Sequence, residues 1–377
     1  MKKIFLCLFL FLPFPVFANE LIPSANSGVI IEANSGKIIF EKEKDMKVSV
    51  ASLTKMVAQI IILDEIEKNR IKWSDVVTVS RNASDMGGSQ IYLEENEKMT
   101  VEDLMKGISV ASGNDATVAM AEYIAGSEDK FVEKMNKKVQ ELGLKNTHFI
   151  NSTGLDEDGH YSSAFDMALI ARELIIHHPQ ILKFSSIYED YLRKDSERKF
   201  WLVNTNKLIS QYDGADGLKT GHTDAAGYCL AATAKKNNMR LIGIVLGEKD
   251  SKIRNKETIQ LLDYGFKTTK LKTLKKKGSV IKKIALSKAN KAYMNAILKD
   301  DLNVIEDVSS SKSYKYNISI SDFDIPIKKG SGIGKIKVLD DDKVVSEQEI
   351  VADKSVRKLS LSELYFSNLK GMIFGIF

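Results

Sequence analysis

Three short groups of side chains in this sequence could do chemistry together. Ser52-Leu53-Thr54-Lys55 sets a hydroxyl and an amine three residues apart, which on a helix places both on one face. A serine hydroxyl is a weak nucleophile and needs a base within reach. A lysine can be that base only when desolvation or a neighbouring cation lowers its pKa enough to populate the neutral amine. Ser112-Gly113-Asn114 offers a second hydroxyl and an amide at a break in a helical pattern, where side chains can face a cleft. Lys219-Thr220-Gly221 lies shortly before a strand, and its cation, hydroxyl and bare backbone could hold a carboxylate against the strand edge.

Singly these fragments say little. S-x-x-K recurs at Ser127, Ser196, Ser279, Ser309, Ser355 and Ser367, and S-x-N recurs at Ser24 and Ser80. A surface lysine, a helix cap or a turn glycine explains any one of them. Two features set Ser52 apart: its apolar setting, and the order in which the other two motifs come after it. Other chemistries lack their residues: there is no H-E-x-x-H, no G-x-S-x-G and no cysteine cluster, so zinc-peptidase and α/β-hydrolase readings have no support. Gly330-Ser331-Gly332-Ile333-Gly334 opens no helix after a buried strand and reads as a β-turn rather than a nucleotide loop.

The surrounding pattern predicts the elements that must position these groups. Gly28 to Glu32 and Lys37 to Phe40 are β-rich around an Asn34-Ser35-Gly36 turn. Residues 48–66 carry apolar side chains at helical spacing and hold the S-x-x-K group. Helices are expected over 101–126, broken at Ser112-Gly113-Asn114, then over 131–144 and over 163–177, with Ser162 or Ser163 as N-cap of the last. After a turn-rich 213–217 come strands at 228–234 and 240–246, joined by 235–238, then a helix over 253–266. Strands first and last with helices between describe an α+β domain with an antiparallel sheet, residues 19–266. Lys270, Lys272, Lys275, Lys276 and Lys277 read as a basic linker into a small all-β domain, residues 267–358. Residues 359–377 place Leu361, Leu364, Tyr365, Leu369, Met372, Ile373, Ile376 and Phe377 on one helical face, which suits an amphipathic helix lying in a membrane interface; the same face could pack on the β domain instead.

Composition bounds the setting. With 377 residues, 44% hydrophobic and 28% charged, the chain can bury large cores. Lys2 and Lys3, the apolar run Ile4 to Leu12, Pro13, Pro15 and Val16-Phe17-Ala18 read as an export signal over residues 1–18. Loss of that leader removes two lysines and takes the formal charge from +5 to +3, too small to argue for nucleic acid. Cys229 is then the one remaining thiol, which excludes an intramolecular disulfide; it reads as a small buried residue of a strand. No cofactor or metal is called for.

In order, S-x-x-K, then S-x-N about 60 residues on, then K-T-G about 100 further, is the pattern of penicillin-recognising serine enzymes. Over essentially the whole chain after residue 18, the sequence resembles the low-molecular-mass D-alanyl-D-alanine carboxypeptidases of the penicillin-binding protein 5 type. The segments 111–116 (ASGNDA), 142–149 (LGLKNTHF) and 216–227 (DGLKTGHTDAAG) carry the likeness. The resemblance implies a transpeptidase/β-lactamase-like domain, a small β domain and an anchoring helix, on the periplasmic face of the cytoplasmic membrane. It implies Ser52 as the acylated nucleophile, Lys55 as its base and Ser112 as a proton relay. Asn114, Lys219, Thr220, Gly221, His222 and Arg254 would line the substrate site, with Lys219, Thr220 and Arg254 on the terminal carboxylate. Backbone N–H groups of Ser52 and His222 would form the oxyanion hole. His148, His160, His177 and His178 have no partner pattern and read as structural or exposed. One departure stands out: some relatives carry histidine where this chain has Thr153, before Gly154-Leu155-Asp156, which bears on deacylation and on the adjoining loop.

The implied substrate is the peptidoglycan stem peptide, with β-lactams as covalent inhibitors and a membrane surface as the partner of the last helix; a homodimer or a cell-wall enzyme partner stays open. Two rival readings are a β-lactamase of the same superfamily, for which the β domain and apolar tail would be superfluous, and a non-catalytic wall-binding protein, for which the complete set Ser52, Lys55, Ser112, Asn114 and Lys219 would be.

Overall fold

Asn34-Ser35-Gly36 turns the chain between β1 (Ser27–Glu32) and β2 (Ile38–Lys42), with Gly36 at φ 72°. A computed structural model describes residues 21–366, which form two compact units. One comprises the residues up to Lys236 with Arg240–Gly265, the other Asn237–Met239 with the residues from Phe266 onward.

The first unit has four main helices between its early and late strands: α1 (Lys55–Glu67), α2 (Asn114–Ala125), α3 (Glu128–Glu141) and α4 (Ala164–His177). A small hairpin comes next, β3 (Glu189–Leu192) and β4 (Phe200–Val203), and then β5 (Ala215–Thr223), β6 (Gly227–Lys236), β7 (Met239–Glu248) and α5 (Ser251–Thr268). The main sheet runs β2-β1-β7-β6-β5. Its inner strands are buried on both faces, which is why β6 and β7 read as near-continuous apolar runs instead of alternating. α1 is buried almost all round: its apolar residues dominate, and Lys55, Gln59 and Glu65 are buried with them. β5, with the K-T-G residues, is the edge strand opposite β2.

The structure corrects several expected boundaries. The first long helix starts at Lys55, not Val48: Val48 bridges Ser162 in extended form, and residues 51–54 are a 3₁₀ turn. Apolar spacing recorded the burial of Val50 and Leu53 but could not tell a tight turn from a helix. The expected turn at 213–217 is partly strand, since β5 begins at Ala215. The β3–β4 hairpin has no counterpart among the expected elements. Ser163 does cap α4, its hydroxyl accepting from Asp166 N–H at 3.2 Å.

In the second unit, β8 (Thr269–Lys275) occupies the expected basic linker; its lysine excess hides a strand's alternation. It pairs with β11 (Leu302–Asp307), and Lys272 meets Glu306 at 2.8 Å. β9 (Val280–Ala285), β10 (Tyr293–Leu298), β12 (Lys315–Ile320), β13 (Gly332–Asp340) and β14 (Lys343–Ala352) complete a sheet ordered β9-β10-β14-β13-β12 around Met294, Ile336, Val338 and Ile350. Gly332 and Gly334 thus lie in a strand, and the turn is at Lys329-Gly330, closed by Ser331 N–H donating to Lys328 O at 3.1 Å. Residues 361–366 are helical; the rest of the amphipathic segment and the whole export signal lie outside the described residues.

Candidate active site

The 3₁₀ turn presents Ser52 at the head of α1, after Ala51 at φ 48°. A left-handed alanine costs roughly 1–3 kcal/mol and persists only where its surroundings impose it. Two glycines do so here. Gly154, at φ 87°, leaves no room for a Cβ, which would fall 1.9 Å from the Ala51 carbonyl oxygen. Gly221 on β5 would place one 2.9 Å from the Val50 oxygen and 3.1 Å from Ala51 Cβ. Bare backbone on both sides lets a loop and the edge strand close on the turn that carries Ser52.

Lys55 is fully buried, and its Nζ has three neighbours: Ser52 Oγ at 2.8 Å, Asn114 Oδ1 at 2.6 Å and the Thr153 carbonyl oxygen at 2.7 Å. The amide and carbonyl oxygens can only accept. A neutral amine has two N–H donors and one lone pair, so donation to both oxygens aims the lone pair at the serine hydroxyl. Burial drives the Lys55 pKa well below the usual lysine value, and the Lys219 charge drives it further; buried Asp115 opposes both. The amine is therefore suited to accept a proton. Asn114 is itself fixed, its Nδ2 donating to Gly87 O at 2.7 Å.

Ser112 ends a π-helical turn in the left-handed conformation, φ 63°, which swings its hydroxyl out of the helix line. Lys219 Nζ donates to it at 2.8 Å and to Thr220 O at 2.9 Å. Burial first, then the Arg254 charge, lowers the Lys219 pKa to about 7. The pair Ser112–Lys219 and the pair Ser52–Lys55 thus come from separate elements and lie close enough for the Lys219 charge to act on Lys55. Thr220 donates its hydroxyl to Thr205 Oγ1 at 2.7 Å. Arg254, on α5, is buried; Nη2 donates to Asn255 Oδ1 at 2.8 Å and Nη1 to Cys229 O at 3.4 Å, which holds the guanidinium behind β6 and near Lys219. His222 exposes its ring, stacked 4.0 Å from that of Tyr228.

Several contributors escaped the sequence reading. Asp115 is buried, and its carboxylate accepts from the N–H groups of Ile91, Leu93 and Ala116, which hangs the 91–93 segment beside Asn114. Asp156 reaches from the Gly154 loop to Thr223 Oγ1 at 2.7 Å, just past His222. Thr205 had no signal at all. Thr153 acts through its backbone carbonyl, a group that any residue supplies, so the absence of histidine does not touch this contact. Its hydroxyl points instead to Asn151 Oδ1 at 3.3 Å.

The remaining histidines have local tasks. His160 is buried; its Nδ1 accepts from Ile150 N–H at 3.2 Å, which leaves Nε2–H to donate to Thr54 Oγ1 at 2.8 Å, and burial lowers its pKa to about 4. His178 is buried between Asp64 and Glu67, 3.4 and 2.9 Å away. Cys229 is fully buried, and burial pushes its thiol up to about 11, as an inert strand residue.

The chain is similar to known proteins along most of its length. Residues 17–250 match the family described as D-alanyl-D-alanine carboxypeptidase, and residues 269–358 match the penicillin-binding protein 5 C-terminal domain. D-alanyl-D-alanine carboxypeptidase DacF of Bacillus subtilis (strain 168) is 44% identical over 90% of this chain and 88% of its own. The crystal structure of penicillin binding protein 5 from Haemophilus influenzae superposes with a TM-score of 0.71 at 33% identity, covering 89% of this chain and 98% of that one. Penicillin-binding protein D2 from Listeria monocytogenes, solved in an ampicillin-bound form, gives 0.59 at 30% identity over 65% of this chain and 98% of that one.

Proposed function

The chain belongs to the D-alanyl-D-alanine carboxypeptidase family, and from that premise we propose that Ser52 and Lys55 are the nucleophile and base with which it cleaves D-Ala-D-Ala termini. It is a serine-type D-Ala-D-Ala carboxypeptidase that penicillin acylates. The observation that carries the residue assignment is the buried Lys55 amine, 2.8 Å from Ser52 Oγ with its other two neighbours both obligate acceptors.

In this reading Lys55 takes the Ser52 proton as Oγ attacks the carbonyl carbon between the two D-alanines. The developing oxyanion lies against the N–H groups of Ser52 and His222, brought together by the close approach of Gly221 to the Ser52 turn. Collapse breaks the C–N bond, and the proton that Lys55 took is relayed through Ser112, beside Lys219, to the departing D-alanine nitrogen. Lys219, Thr220 and Arg254 attract the terminal carboxylate, while Asn114 holds the stem amide. Water then hydrolyses the ester. β-Lactams enter by the same attack, with the ring amide in place of the peptide bond.

The wider assignment has residues 19–266 as the catalytic domain, 267–358 as the β domain, 1–18 as an export signal and 359–377 as a membrane-interface helix. Support comes from the charge and apolar patterns of the ends. Among the described residues no helix is long and apolar enough to cross a membrane.

Mass spectrometry of the intact protein after exposure to penicillin, with peptide mapping, tests the centre. One adduct on the Ser52 peptide is expected, and Ser52→Ala should lose both the adduct and D-alanine release. An adduct that persists in that variant would overturn the assignment.

A further inference from the structure

Charge is divided unevenly along this chain. Residues 267–358 carry 21 Lys and Arg against 12 Asp and Glu, a formal charge of +9, while residues 19–266 carry 31 against 37, a charge of −6. Within the β unit the surplus is uneven again. Lys272, Lys276, Lys299, Lys312 and Lys335 each sit on a carboxylate at 3.0 Å or less. Lys283, Lys288, Lys291, Lys328, Lys329 and Lys358 are exposed, and among the described residues none of them forms an ion pair. The acids beside them are mostly taken. Asp353 lies 3.7 Å from Lys354 and accepts from the Asn295 N–H and side-chain amide at 2.9 Å, and Glu363 is held by Arg357 at 2.6 Å. Asp322 and Asp324, just before Ile327 in the chain, offset part of the charge.

Backbone pairing gathers these lysines. The strip 354–358 has residues 288–290 on one side, through the Ala289–Lys358 bridge and Asn290 N–H donating to Arg357 O at 3.0 Å. Residues 327–329 lie on the other, through the Ile327–Val356 bridge and Lys329 N–H donating to Ser355 Oγ at 2.9 Å. Three adjacent strips span about 10 Å, roughly one Debye length at physiological salt, so their charges act as one patch. Lys283 and Lys354 also converge, 3.8 and 4.6 Å from the centre of the Tyr293 ring, which is 42% exposed.

The same strip leads into the tail. Leu359 N–H donates to Lys288 O at 2.9 Å, so the chain leaves from the middle of the patch. Leu361, Tyr365 and Phe366 follow at once, 90%, 65% and 63% exposed. Residues 359–377 hold one acid and one base, Glu363 and Lys370, and so carry no net charge. A helix in a membrane interface binds through buried apolar area and through attraction to anionic lipid. This tail has the first and lacks the second, and the lysines at its root supply it. An exposed tyrosine between ammonium groups suits the headgroup level, where amphipathic rings settle; a soluble polyanion would use the charges alone.

We propose that the lysine patch around residues 354–358 docks the β unit on an anionic lipid surface. This goes beyond the interface helix proposed for residues 359–377 and is separable from it. The test is co-sedimentation of the full chain with phosphatidylcholine vesicles, either pure or with about one-third phosphatidylglycerol, at low (about 50 mM) and high (about 300 mM) salt. Wild type should bind the anionic vesicles at least about tenfold more strongly at low salt and lose most of that margin at high salt. Lys288→Gln, Lys291→Gln, Lys328→Gln and Lys329→Gln combined should abolish the preference, with binding to neutral vesicles, penicillin acylation and the melting midpoint unchanged. The same change at Lys276, Lys299, Lys312 and Lys335 removes as many lysine charges and should leave the preference intact. Equal binding to both vesicle types in wild type, or an equal loss of preference in the two variants, would overturn the proposal. So would binding to dextran sulfate without binding to vesicles. Wild type that ignores neutral vesicles yet keeps the anionic preference would remove the interface helix and leave the patch standing.

Discussion

The same four-residue motif occurs in both units with opposite consequences. Ser52-Leu53-Thr54-Lys55 heads a buried helix, and Ser309-Ser310-Ser311-Lys312 lies on the surface of the β unit. Lys55 faces an amide oxygen, a carbonyl oxygen and a hydroxyl, with Lys219 nearby, and burial holds its pKa well below normal. Lys312 is exposed on Asp340, and the hydrogen bond to that carboxylate raises its pKa; Lys299 on Glu349 and Lys335 on Glu347 behave alike. A carboxylate partner stabilises an ammonium, whereas neutral acceptors in a dry pocket leave the amine available as a base. Reactivity here belongs to the surroundings of the lysine, not to the motif.

Four substitutions or titrations would break or sharpen that contrast. The largest effect is expected from Lys55→Ala, which should slow penicillin acylation about 10³-fold, within the range of a lost general base. Stopped-flow acylation would measure it, and a loss below tenfold would mean that another group takes the proton. Next, acylation by wild type should fall about tenfold per pH unit once the pH drops through the lowered pKa of Lys55, because only the neutral amine accepts the proton. A rate independent of pH down to pH 4 would contradict a neutral lysine base.

A smaller effect concerns stability and sharpens the same theme with a carboxyl group. Glu248 is fully buried, neither of its carboxyl oxygens has a hydrogen-bond partner, and burial together with the neighbouring Glu257 carboxylate, which accepts from Ser24 and Ala25 N–H, pushes its pKa up to about 8. Between the ordinary glutamate value and about 8, the folded chain keeps a proton that the unfolded chain releases. Stability should therefore fall as pH rises through that window, by up to about 1.4 kcal/mol per unit, and level off above it. Glu248→Gln should flatten this slope, raising the melting midpoint at pH 8 and leaving it nearly unchanged at pH 5. An equal change at both would show that Glu248 is ionised throughout. Last, Lys312→Ala should alter neither acylation nor the melting midpoint; a clear loss of either would show that the surface motif has a role of its own.

Much of this was legible in the residues, unevenly. The motif set was legible because the types and order of its lysines and serines are written in the chain, and the structure brings Lys55 to Ser52 and Lys219 to Ser112. The hairpin 189–203 was not legible: Tyr191, Trp201 and the charged residues between them read as surface, and no periodicity announces a strand whose one face is exposed aromatics. Thr205 and Asp115 were equally silent, since a lone threonine or aspartate gains meaning only from the partner that the fold delivers to it.

By itself the sequence determined which side chains could react and in what order they occur, since hydroxyl, amine and amide chemistry is fixed by residue type. Only the tertiary structure decided which of them meet. Asn114 lies 59 residues from Lys55 and Thr153 lies 98 away, yet both oxygens meet the same amine. Water is excluded from that meeting point by neighbours brought in from across the chain, and a pKa responds to that local environment rather than to the spacing of the motif.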